Sequence, residues 1–231
     1  MLVGQVVFSQ GFGTRYECNA LIINGKFSFK GKVISDPGED VSIEDGDAFS
    51  IDGKQWLFYE KAIVMLNKPQ NYECSTKPKF YPSVNSLLPN PLRMRGVQPV
   101  GRLDVDTTGL LILTNDGQLN HKLTHPKKKI PKVYEVSLKH QVEDSFVQKL
   151  LSGVKLKDEE EIIKADACKV VDDKHVLLTI SQGKYHQVKR MVAAASNRVE
   201  GLKRVQVGKL LLPEDLEIGQ WKWVGSVSEI L

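Results

Sequence analysis

The sequence is poor in cysteine, with three in 231 residues. Cys18, Cys74 and Cys168 lie far apart, are odd in number and form no C-x-x-C pair. That pattern excludes a disulfide framework or a zinc ribbon and fits a reducing compartment. No apolar run reaches the ~20 residues that a bilayer-spanning helix needs. Met1-Leu2-Val3-Gly4-Gln5 lacks the basic start of a secretory signal. Aromatic residues are few, at 7%, and there is no repeat or low-complexity tract. Collagen-like, coiled-coil and disordered classes are excluded on composition. The expectation is a soluble cytoplasmic protein, with no membrane association, built as one large domain or two smaller ones.

What is present is a divided charge. Residues 1–60 carry five Lys or Arg against nine Asp or Glu, whereas residues 61–231 carry 27 against 19. The basic excess therefore belongs to the larger, C-terminal part, and cations gathered on one surface attract phosphate backbones. Within the head, seven acids fall between Asp36 and Asp52.

Local signals divide the chain. Thr14 followed by Glu17 has capping-box spacing and predicts a helix through Ile23, ended by Asn24-Gly25. Lys26-Phe27-Ser28-Phe29 alternates as a strand, and Phe49-Ser50-Ile51 as another. Asp52-Gly53-Lys54 reads as the linker, which separates a module at 1–55 from a second domain at 56–231. In the second domain, strands are predicted at 64–68, 110–114, 132–138, 166–171 and 175–181. Helices are predicted near 143–152 and 185–196. Residues 70–99, with five prolines, read as irregular. Strands in antiparallel style with occasional helices point to an α+β fold.

Four segments concentrate chemistry-bearing residues. Gly101 to Leu110 (GRLDVDTTGL) is a glycine-bounded loop carrying Arg102, Asp104 and Asp106. Its residues alone read first as a solvated turn, then as a positioned functional loop, with a D-x-D magnesium site as a further option. Ser181 to Met191 gathers Lys184, Tyr185, His186, Lys189 and Arg190 at a predicted helix start, where anions bind well, or on a solvated helix face. Tyr134 lies on a strand beside Lys132 and Val136, a common place for simple packing. Residues 122–132 hold five lysines in eleven positions, a density that suits phosphate contact.

Taken in order, Leu66-Asn67-Lys68-Pro69-Gln70, Cys74-Ser75-Thr76, the 101–117 element, KVYEV at 132–136 and GKYHQVKRM at 183–191 resemble the RsuA-type pseudouridine synthases. These bacterial enzymes isomerise a uridine in ribosomal RNA. The resemblance implies a mainly antiparallel mixed-sheet catalytic domain, preceded at residues 1–55 by a small S-four-type (alpha-L) RNA-binding domain. It implies Asp104 as the essential aspartate, Tyr134 as the tyrosine that stacks on the target base and Lys189 as the basic partner of the aspartate. Arg102 and Ile180 support the site, Ile180 as a wall of the uracil pocket. The implied substrate is small-subunit ribosomal RNA, free or in an assembly intermediate, with uridine 516 of 16S RNA as target. The enzyme is expected to be a monomer needing no cofactor or metal, because the isomerisation oxidises nothing and carries no group away. RNA contacts are assigned to Arg15, Lys26, Lys122, Lys127, Lys128, Lys129, Lys132, Lys184, His186 and Arg190.

Two other function classes compete. A binding module that keeps the fold without chemistry would tolerate Asp104→Asn. A metal-dependent phosphotransferase or nuclease using Asp104 and Asp106 would lose activity in EDTA.

Overall fold

The computed structural model describes all 231 residues. The N-terminal unit packs α1 (Val3–Ser9) and α2 (Arg15–Ile23) on a four-stranded antiparallel sheet of β1 (Phe27–Phe29), β2 (Lys32–Ile34), β3 (Ala48–Ile51) and β4 (Lys54–Leu57), ordered β2-β1-β3-β4. The capping box at α2 forms as expected, with Thr14 and Glu17 bonding each other's backbone N–H. Helix α1 was not expected. Its Val3, Val6 and Val7 are fully buried beside Cys18, Ile22 and Phe27.

One expectation is overturned. Asp52-Gly53 is no linker but the turn of the β3–β4 hairpin, with both residues at positive φ (50° and 75°). That is the conformation a two-residue hairpin needs to match strand twist. A boundary at residue 55 would cut β4, so the unit runs to Leu57. It leans on the rest of the chain through an aromatic cluster, where the Trp56 ring meets Trp223 at 5.8 Å and Trp221 at 6.2 Å. The Arg95 guanidinium is a second tie, donating to Gln10 Oε1 (2.9 Å) and to the Tyr59 and Glu60 carbonyls.

The remainder is a mixed sheet of nine strands. In chain order its elements are β5 (Ile63–Lys68), α3 (Asn90–Met94), β6 (Gln98–Pro99), β7 (Thr108–Thr114), α4 (Gly117–Thr124), β8 (Lys132–Leu138) and α5 (Asp144–Ser152). A small hairpin follows, β9 (Val154–Lys155) with β10 (Ile162–Ile163). Then come β11 (Ala167–Asp172), β12 (His175–Ile180), α6 (Gln187–Ala194), β13 (Val199–Val207), β14 (Leu210–Leu211) and β15 (Trp221–Trp223). The large sheet runs β11-β12-β8-β13-β7-β5-β15, with β6 on β7 and β14 on β13. Only β13 and β7 pair in parallel. The sheet is buried on both faces at its centre, and period-two alternation sorts the side chains. Val64, Leu66, Leu111 and Leu113 enter one core with Tyr134 and Leu178, while Ile63, Met65, Leu110 and Ile112 enter the other with Leu119 and Leu123. No helix is long and apolar enough to cross a membrane.

Two elements of this domain differ from expectation. No helix was expected between the strands at 110–114 and 132–138, yet the Asp116 carboxylate accepts from the N–H groups of Gln118 and Leu119 and caps α4, on which Lys122 stands. Helix α6 begins at Gln187, two residues later than the pattern suggests, because His186 adopts a left-handed backbone (φ 47°, ψ 34°).

Candidate active site

The loop between β6 and β7 is held from beneath. Gly109 has φ +98°, and a β-carbon there would stand 2.2 Å from the Arg204 carbonyl. Only glycine lets β7 approach β13 at this point. Lys68, the one charge in the buried strand β5, is 0% exposed. Its ammonium donates to the carbonyls of Thr107 (2.9 Å), Pro69 (3.0 Å) and Asp104 (3.1 Å). The backbone N–H of Asn71 adds a bond to the Val105 carbonyl, and that of Leu103 one to Cys74 Sγ. Burial pushes the Lys68 ammonium below its usual range, opposed by the nearby carboxylates of Asp106 and Asp104.

On this support Asp104 faces α6. Its Oδ2 lies 3.1 Å from Lys189 Nζ, and its Oδ1 3.3 Å from His186 Nε2. The same ammonium contacts both oxygens of Asp106, at 2.6 and 2.9 Å. One cation thus lies between two carboxylates. Partial burial works against both charged forms, yet the mutual hydrogen bonds and charges prevail. They set Asp106 below the usual carboxylate range and Lys189 above the usual lysine range.

The cleft beside this triad holds about 460 Å³ of space, open mouth included. Arg102, Asp104, Thr107, Tyr134, Ile180, His186, Lys189 and Leu202 are among its lining residues. Asp104, Tyr134 and Lys189 are therefore brought together, with Arg102 at the rim and Ile180 in the wall. Tyr134 is 8% exposed and belongs to the core as well as the cleft, so its packing role and its site role coexist.

The expected RNA contacts divide into groups. Lys122, Lys127, Lys128 and Lys129 are exposed. Lys132 is not a surface lysine: its ammonium turns inward onto the Ile130 carbonyl. Burial and then the nearby Arg204 lower its pKa to about 8. Lys184 and Arg190 are drawn to Glu159 at 2.5 and 3.5 Å, which fastens the segment before α6 rather than freeing two cations. Lys26 pairs with Asp52, and Arg15 lies over the Phe8 ring. The acids of the head thus fold back on its cations, as Lys32 with Glu39 also shows.

Sequence reasoning missed two cations. Lys68 could have been suspected as the one charge in a strand otherwise suited to burial. Arg204 carried no local signal. It is the register partner of Tyr134 on β13, is 3% exposed, and spends its Nε on the Leu110 carbonyl.

Known proteins resemble this chain over most of its length. Residues 62–194 match the family model described as RNA pseudouridylate synthase. The Haemophilus influenzae protein named ribosomal small subunit pseudouridine synthase A is 38% identical over 209 residues, covering 90% of this chain and 89% of that protein. The Escherichia coli protein of the same name is 42% identical over 158 residues, covering 68% of each. The crystal structure of a pseudouridylate synthase superposes with TM-score 0.69 at 35% identity, covering 100% of this chain and 98% of the other.

Proposed function

This chain belongs to the RNA pseudouridylate synthase family, and we propose that it converts one uridine of small-subunit ribosomal RNA, uridine 516 of the 16S molecule, to pseudouridine through Asp104. The observation that carries the site reading is the Asp104–Lys189 ion pair of 3.1 Å in a cleft walled by Tyr134 and Ile180. Two of the relatives carry the small-subunit substrate in their names.

The reaction breaks the N1–C1′ bond, turns the uracil, joins C1′ to C5, removes the C5 proton and protonates N1, so that atoms and charge balance. Asp104 supplies the carboxylate, as nucleophile on the nucleotide or as base on the sugar. Lys189 holds that carboxylate in place at 3.1 Å within the cleft. Tyr134 offers a flat face against which the freed uracil turns, while Ile180 and Leu202 exclude water. Arg102 stands at the mouth, where the extruded nucleotide enters.

The exposed lysines at 122 and 127–129 take the RNA backbone. The N-terminal unit acts as a small S-four-type RNA-binding domain, and the protein works as a monomer in the bacterial cytoplasm on free or partly assembled RNA. Chemical mapping of pseudouridine in ribosomal RNA from cells with and without the gene tests this. One 16S signal is expected to disappear, and an unchanged map would overturn the reading.

A further inference from the structure

Beyond the cleft, a second recess opens on the other side of Arg102, lined also by Ser75, Thr76, Gln98, Asn120 and Thr124. The chain that lines the recess at Ser75 and Thr76 continues through residue 82, a segment that carries Lys77, Lys79, Phe80 and Tyr81 and no acid. Phe80 is 89% exposed and Tyr81 43%, an arrangement that burial of apolar surface alone would not select.

The segment is nevertheless well built. Both oxygens of Glu73 together accept from the backbone N–H groups of Lys79, Phe80 and Tyr81 at 2.8–3.0 Å. Those bonds hold the carboxylate below its usual range. Ser83 Oγ donates to the Ser75 carbonyl at 2.6 Å and closes the base of the loop. An exposed aromatic on a pre-shaped, proline-flanked loop with two lysines has the makings of a stacking platform, because every base presents a π-face and every linkage an anion.

We propose that segment 75–82 and the recess below it bind unpaired nucleotides of the substrate RNA next to the extruded uridine. A base stacks on Phe80, the phosphates meet Lys77 and Lys79, and Arg102 separates this nucleotide from the one in the cleft. The inference rests on the reading of the chain as an RNA-modifying enzyme and adds to it a requirement for single-stranded flanks.

The test uses the full chain, protein-free 16S RNA fragments and small-subunit assembly intermediates. Binding and pseudouridine yield are measured for wild type, Phe80→Ala, Phe80→Trp and the double variant Lys77→Gln, Lys79→Gln. Phe80→Ala is expected to weaken binding of naked RNA about ten-fold or more and to raise KM far more than it lowers kcat. Phe80→Trp restores both, and the lysine pair flattens the salt dependence of binding. Unchanged binding of naked RNA by Phe80→Ala would overturn the proposal. So would a defect confined to the assembly intermediates, which would assign the loop to a protein partner. Absence of pseudouridine from the wild-type reaction would instead remove the underlying reading, and the binding measurements would still decide the role of the loop.

Discussion

Replacing Lys189 by Met deletes the cation that lies between Asp104 and Asp106 while keeping most of the side-chain volume. At the observed 3.1 Å, Coulomb's law gives roughly 1 kcal/mol in water and roughly 5 kcal/mol at an effective dielectric of 20. Side-chain exposures of 32% for Asp104 and 67% for Asp106 favour the lower part of that range. Lys189 also fixes where the carboxylate points, and a loss of about 1–2 kcal/mol of that hold in the transition state corresponds to roughly five- to thirty-fold in rate. Single-turnover release of the C5 hydrogen from tritium-labelled RNA at neutral pH reads this directly.

The Met variant should be slower by that factor at neutral pH. Lys189→Arg keeps the charge and should stay within about three-fold. The fold should barely respond, since a partly exposed pair contributes about 1 kcal/mol or less, a few degrees in Tm at most for a chain of this size. A Met variant with wild-type rate, or an Arg variant as slow as Met, would refute the charge argument.

Gly109→Ala should destabilise by more than about 3 kcal/mol, because positive φ and the Arg204 carbonyl both oppose a β-carbon; Tm measures it. Arg95→Met removes the tie between Gln10, Tyr59 and Glu60 and should speed amide exchange and proteolysis around residues 58–62. Lys132 has a folded-state pKa of about 8 against an ordinary 10.5, so between these values the unfolded chain holds the extra proton. Its contribution to stability therefore rises as pH climbs through that window and sits at its full penalty below it. Lys132→Met should raise the urea midpoint at neutral pH and remove that slope. EDTA should leave pseudouridine formation unchanged, and loss of activity would favour a metal bound by Asp104 and Asp106.

The elements read correctly in advance are those whose signals are local. The apolar run at Leu110 to Thr114, the alternation at Val133 to Leu138 and the Thr14–Glu17 cap each specify their structure within a few residues. The order of site motifs was legible for the same reason. Helix α4 was obscured because Asp116 followed by glycine signals a turn as readily as a cap, and only Leu119 and Leu123 mark its buried side. The hairpin at Asp52-Gly53 was mistaken for a linker because the partner strand it serves, β4, is short and half exposed.

Distant pairings were beyond reach altogether. Glu159 is 25 residues from Lys184, and Arg204 lies 94 from the carbonyl that holds it. Nothing near either cation in the chain announces that it is spoken for. Counting positive residues consequently overstated the free basic surface, which the fold reduces at Lys26, Lys132, Lys184 and Arg190.

The most direct measurement is the pseudouridine yield of Asp104→Asn on 16S ribosomal RNA, mapped chemically beside wild type at equal protein and equal folded fraction. Asparagine preserves the shape of the side chain and its place above Lys68 while removing its charge and its nucleophilic oxygen pair. No pseudouridine above background is expected, with RNA still bound. A yield matching wild type would contradict the assignment of the chemistry to this carboxylate.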